Sequence, residues 1–172
     1  FENSFTVRLG GIVLITTLCY VLYQFGNTYY CRKTGMILAL ITCVNMMFHT
    51  SSVVMTPDAP LIFFTILTII YYYKAYFVHE QYFYPAGIFM GLSILSKVSA
   101  IFPAIGMLLL PVFVKEKSHY LKNKKFYAAL FIAFLTITPF IYWNLQNDMA
   151  FVRYQGNHIM EEGSWKTFIE LW

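Results

Sequence analysis

Charged side chains are what this sequence has least of: Asp, Glu, Lys and Arg make up 12% of its 172 residues, whereas 59% are hydrophobic and 20% aromatic. Soluble domains carry about 25% charged and 45–50% apolar residues, so an ordinary water-soluble fold is excluded. Intrinsic disorder and a nucleic-acid partner are excluded with it. Cysteine is also scarce. Cys19, Cys31 and Cys43 have neither the spacing of a disulfide framework nor that of a metal site, and read as small inert apolar residues. A glycine-rich phosphate loop, a Gly-x-Ser-x-Gly elbow and internal repeats are missing too. The stretch Phe1–Val7 lacks the basic region and cleavage site of a signal peptide, and the chain stops at Leu171-Trp172 without a polar tail. These ends read as those of an internal piece of a longer membrane protein, with residues 1–172 forming a single transmembrane domain.

What the sequence has is apolar length. A spanning helix needs roughly 17–25 mostly apolar residues, because the hydrocarbon core is about 30 Å thick and each residue rises about 1.5 Å. Val7–Phe25, Gly35–Met55, Pro60–Phe77 and Phe126–Trp143 meet or nearly meet that length. Between the last two lies the apolar stretch Phe83–Val114, interrupted at Ser96-Lys97-Val98-Ser99. It is either one overlong helix or two short ones, 83–96 and 100–114, hinged near Lys97. Basic residues concentrate in cytoplasmic loops, and this decides between the two. Six spans put Arg32, Lys33, Lys74 and the five lysines of 115–125 on one face, 8 basic residues against 4. Five spans give 5 against 6 and strand Lys97 inside the membrane. The expected fold is therefore all-α, a polytopic bundle of about six helices (7–25, 35–55, 60–77, 83–96, 100–114 and 126–143). Both ends then lie outside the cytoplasm, with 144–172 as an extracytoplasmic segment. The run 115–125 reads as a topology anchor touching anionic lipid.

The polar residues left over after this sorting collect on the outer face. Asp58 precedes Ala59-Pro60, a good N-cap pattern that also leaves its carboxylate rigid and ionised. Lys97 would cost about 2.5–3.5 kcal/mol at mid-bilayer, so it either snorkels to the outer headgroups or meets an anionic group there. Asn45, His49 and Ser52 recur at i, i+4 and i+7 and would share one helical face. For His49 an interhelical hydrogen bond and a cavity-lining role are both open. Asn144, Arg153, Gln155 and His158 follow the last span, and Arg153 and His158 also fit a merely solvated interfacial segment.

At these positions the chain resembles a known family. Thr56-Pro57-Asp58-Ala59-Pro60-Leu61 with Phe63-Phe64, Gly91-Leu92-Ser93-Ile94-Leu95-Ser96-Lys97, and Pro139-Phe140-Ile141-Tyr142-Trp143-Asn144 with Gln155 and His158 are similar, in order and spacing, to glycosyltransferase family 39. The opening Phe1–Leu9 is similar to the entry into the family's second membrane helix. The family holds protein mannosyltransferases and lipid A aminoarabinose transferases. The resemblance implies a partial C-type glycosyltransferase membrane core in the bacterial cytoplasmic membrane. Such a core moves a sugar, with inversion, from a polyprenyl-phosphate donor to an extracytoplasmic lipid, glycan or protein hydroxyl. It implies Asp58 as the catalytic carboxylate, with Lys97, Arg153 and His158 as candidates for the phosphate or acceptor side; Asn144 and Gln155 of the matching motif, and His49 from the polar helix face, are further substrate-binding candidates. No cofactor is assigned, and a divalent metal is left open for the complete enzyme. The family's acidic pair in its first outer loop would lie before Phe1, so this piece alone is expected to be inactive. Ser99 and Met149 stand where the family often has aromatics. The competing readings are a secondary transporter, which calls for midplane charges on repeated broken helices, and a non-catalytic membrane subunit.

Overall fold

The computed structural model describes residues 4–54 and 56–154, and within them the chain is helical, with no strand. Among the described residues the principal α-helices are α1 (Ser4–Tyr29), α2 (Arg32–Val44), α3 (Met46–Val53), α4 (Asp58–Phe77), α5 (Phe83–Ser96), α6 (Ile101–Phe113) and α7 (Lys124–Gln146), and residues 150–154 are helical too. Short 3-10 segments at Glu80–Tyr82, Val98–Ala100 and Lys115–Lys122 link them. Three stretches, Arg8–Tyr29, Asp58–Phe77 and Lys124–Gln146, are each long and apolar enough to cross a membrane. Helices α5 and α6, with 14 and 13 residues, are individually shorter than a full span, and the chain bends by 107° between α6 and the segment after it. Large apolar side chains such as Val44, Phe102 and Phe113 point outward, as suits a surface solvated by lipid tails.

The expected helix over 35–55 is broken at Asn45. Its backbone leaves the helical region (ψ 109°), and its side-chain oxygen accepts from the N–H groups of Met47 and Phe48 at 3.0 and 3.3 Å. Asparagine is a strong N-cap because it satisfies orphan donors in this way. Asn45, His49 and Ser52 therefore do not lie along one uninterrupted helix face. The cysteines of this region are closer than their spacing suggests: Cys19 of α1 and Cys43 of α2 bring their sulfurs to 3.5 Å.

One compact unit covers Phe1–Thr136. In a bilayer apolar side chains gain little by leaving lipid for protein, so close packing depends on small residues that let backbones approach. Gly87 and Gly91, one turn apart on α5, face Ala129, Ala133 and Thr136 of α7. A methyl group added at Gly87 would run into the Ala129 carbonyl and lie 2.8 Å from its Cα, and one at Gly91 would lie 2.6 Å from Thr136 Cβ. The buried aromatics Tyr72, Tyr76, Phe83, Tyr120 and Phe126 form the core at the end of the unit where α4 finishes. Their rings meet mainly edge to face, as at Tyr76–Phe83 (5.3 Å) and Phe83–Phe126 (5.7 Å).

That end is also the basic one. The last carbonyls of a helix lack partners within it, and the Tyr76 carbonyl of α4 accepts from Lys117 Nζ at 2.7 Å and from the Tyr120 hydroxyl at 3.3 Å. Nearby, Lys125 Nζ donates to Glu80 at 3.3 Å. A hydrogen bond from the Asn123 side chain, and then that from Lys125, hold the Glu80 carboxyl below its ordinary pKa. A depressed carboxylate stabilises the fold above its unfolded-state value, and the contribution disappears as pH falls through the folded value. Glu80→Gln is thus expected to lower the thermal midpoint of the full chain in detergent slightly at pH 7. The difference from wild type should close by pH 3; a difference that persists there would remove the ionised carboxylate from the explanation.

A second compact unit, Ile137–Trp172, begins within α7. After α7 the chain reverses through Asp148 and Met149, both in left-handed backbone conformation (φ 51° and 56°). Met149 N–H donates to the Asn144 carbonyl at 2.9 Å, a helix-ending bond of the Schellman kind. Phe140 and Phe151 then pack edge to face at 5.2 Å.

Candidate active site at the junction of α4 and α5

Helix α4 starts where proline permits it to start. Pro57 stands at the N-cap with φ −64°, and Pro60 occupies the first turn, where a missing N–H leaves no partner unmet. Asp58 is the first helical residue and not the cap, and its side chain makes no capping bond, which corrects the N-cap reading. The carboxylate turns instead to Lys97 Nζ, 2.8 Å away and 39 residues later in the chain.

Lys97 can reach it because α5 ends there. Ser93 and Ser96 in the last turn of α5 donate back to the carbonyls of Met90 and Leu92, at 2.8 and 2.9 Å, a habit that weakens helices. Lys97 itself is extended (φ −160°, ψ 132°) and separates α5 from the segment leading into α6. Since α4 and α5 form a hairpin, the first residue of one meets the residue after the last of the other. The Lys97 side chain is 49% exposed and that of Asp58 26%, so the pair lies open on one side. An ammonium has three N–H donors, and Asp58 takes one. Two are left for an incoming anion.

A cavity of about 300 Å³ is lined by Leu61, Ile62, Thr65 and Ile66 of α4, Phe48 of α3, and Ser99, Ala100 and Pro103. It is almost wholly apolar, and Leu61 and Ser99 connect it in sequence to Asp58 and Lys97. The hydroxyls of Thr65 and of Thr56, two residues before Asp58, are buried without a hydrogen-bond partner. The sequence reading missed this cavity, because its walls come from ordinary apolar helix positions. Thr65 and Ser99 are the polar residues in its lining.

The remaining expected site residues belong to the second unit or lie outside the described residues. Asn144 and Arg153 belong to the second unit. Asn144 is buried, and its side-chain oxygen accepts from Phe151 N–H at 3.2 Å, so the structure gives it a chain-reversing role. Arg153 is exposed and forms no ion pair among the described residues. Gln155, His158 and the His49 side chain lie outside the described residues. Among the described residues no group of three His, Cys, Asp or Glu side chains could hold a metal ion.

No curated protein and no solved structure matches the chain. A family profile described as dolichyl-phosphate-mannose-protein mannosyltransferase matches residues 1–143. With multiple membrane-length apolar helices and that match over most of its length, the chain belongs to this family of multi-pass membrane glycosyltransferases, glycosyltransferase family 39.

Proposed function

We propose that the protein transfers a sugar from a polyprenyl-phosphate donor to a hydroxyl on a lipid, glycan or protein acceptor at the extracytoplasmic face of the bacterial cytoplasmic membrane. The observation that carries this reading is the contact between Asp58 and Lys97, at the end of α4 opposite the basic end. Basic loops stay in the cytoplasm, so the pair is read as facing outward. In that topology α2 and α3 together make one broken span, and α5 and α6 make two short ones that meet at Lys97.

The chemistry needs two groups of opposite kind. As the acceptor oxygen attacks the anomeric carbon, its proton passes to the Asp58 carboxylate, a general base held rigid at the helix start. The bond between the anomeric carbon and the phosphate oxygen breaks with its electron pair on the leaving lipid phosphate. Lys97 lies where it can neutralise that charge with its two remaining N–H groups. Attack opposite the leaving group inverts the anomeric centre. The apolar cavity at Leu61, Ile66 and Pro103 suits the first prenyl units of the donor. Arg153, His158, His49, Gln155 and Asn144 are assigned to the donor or acceptor side as polar residues of the outer segments.

The test is donor choice. The full-length protein, reconstituted in liposomes, is expected to transfer sugar from a polyprenyl-phosphate donor and to leave the matching nucleotide sugar untouched. Transfer from the nucleotide sugar alone would overturn the reading.

A further inference from the structure

At the far end of α4 from the candidate site, Lys74 sits one turn before the helix finishes, its side chain half-buried among tyrosines. Its Nζ is 5.1 Å from the centre of the Tyr71 ring and 5.6 Å from those of Tyr29 and Tyr82. Rings at this distance hold a cation by their negative faces but do not neutralise it. The two ion pairs among the described residues join Lys97 to Asp58 and Lys125 to Glu80, so Lys74 has no carboxylate partner there. Its ammonium borders a cavity of about 260 Å³ between α1 and α4. Thr28 and, one turn before it, Gln24 of α1 line this cavity with Lys74, the Gln24 amide donating to the Tyr20 hydroxyl at 2.8 Å, while Val21, Leu67 and Ile70 supply its apolar wall. Leu67 lies seven residues before Lys74, about 10 Å along the helix at 1.5 Å per residue. The cavity is thus an amphipathic slot, polar and cationic at its mouth and apolar toward mid-membrane.

The slot lies at the basic end of the molecule, where the rings of Tyr30 and Tyr73 join the start of α2 to α4 and Lys117 caps α4. Positive charge marks the cytoplasmic side, where the leaflet is rich in anionic lipid, and basic pockets between membrane helices bind lipid headgroups there. A soluble anion could use the mouth, but it would leave the apolar depth empty. A phospholipid fills both. We propose that this slot holds one anionic phospholipid of the cytoplasmic leaflet, its phosphate accepting from Lys74 and from Gln24 or Thr28, and its acyl chain lying over Val21, Leu67 and Ile70. The site is separate from the Asp58–Lys97 pair, and nothing in it depends on which sugar is transferred.

Native mass spectrometry of the purified full-length protein in detergent tests this with phosphatidylglycerol and phosphatidylcholine of identical chains. One phosphatidylglycerol is expected to be retained in preference to phosphatidylcholine. Lys74→Gln should weaken its retention about 10-fold, the size of one lost charge-assisted hydrogen bond. Lys74→Arg should keep it, and so should Lys33→Gln, which removes an exposed charge next to the start of α2. Equal retention of phosphatidylcholine, wild-type retention by Lys74→Gln, or an equal loss in Lys33→Gln would each overturn the site. Displacement of the lipid by glycerol phosphate at equal concentration would overturn it as well, marking a soluble-anion site.

Discussion

Asp58→Asn is expected to lower sugar transfer by about 10²–10⁴-fold while leaving the donor KM within a few fold of wild type. This is the range of a lost general base, and the amide can still accept a hydrogen bond from Lys97 without taking a proton. Lys97→Met is expected to lower kcat and also raise the donor KM, because its ammonium would meet the phosphate both when the donor binds and when it leaves. Neither change should unfold the protein. An ion pair this open contributes about 0–1 kcal/mol, so thermal midpoints should move by only a few degrees. The exchanged pair, Asp58→Lys with Lys97→Asp, keeps the contact and reverses the roles. It should be stable and inactive. Wild-type transfer by Asp58→Asn, or by the exchanged pair, would remove these residues from the chemistry.

The largest stability effect is expected at a residue with no side chain. Gly87→Ala places a methyl group against the Ala129 carbonyl and Cα, which are backbone and cannot rotate away, so α5 and α7 must separate. Overpacking of this kind costs about 1–3 kcal/mol, and Gly87→Leu should exceed that. The comparison that isolates packing is Gly106→Ala in α6, where an added methyl meets nothing within 4 Å. Helix propensity favours alanine over glycine by about 1 kcal/mol, so Gly106→Ala should hold or raise stability while Gly87→Ala lowers it. Thermal unfolding in detergent reads both. Equal shifts would show that packing at Gly87 is looser than the backbone distances imply.

How much of this could be read from the residues alone depended on how rare each signal was. Asp58 and Lys97 stand out because charge is scarce, and the chain divides at Lys97 into two helices where the interruption 96–99 pointed. Asn45 misled, since i, i+4, i+7 spacing in an apolar run reads as one continuous face. A side chain that prefers capping two backbone N–H groups broke the run instead. The approach of Gly87 to Ala129 was invisible, because the two small residues lie 42 positions apart in the chain and hydropathy treats them alike. The cage around Lys74 takes rings from α1, from α4 and from the turn after it, so only the fold assembles it.

The distance between Asp58 and Lys97 along the chain also has a meaning in time. Synthesis at about 5–20 residues per second delivers Lys97 some 2–8 s after Asp58, across the 39 residues that separate them. Over that interval the carboxylate at the head of α4 is without the lysine that pairs with it in the folded chain. The hairpin of α4 and α5 is therefore the shortest length of nascent chain that can settle in the bilayer with both of these charges answered. An insertion that lengthens the turn between the two helices postpones that moment even where the Asp58–Lys97 contact itself is kept.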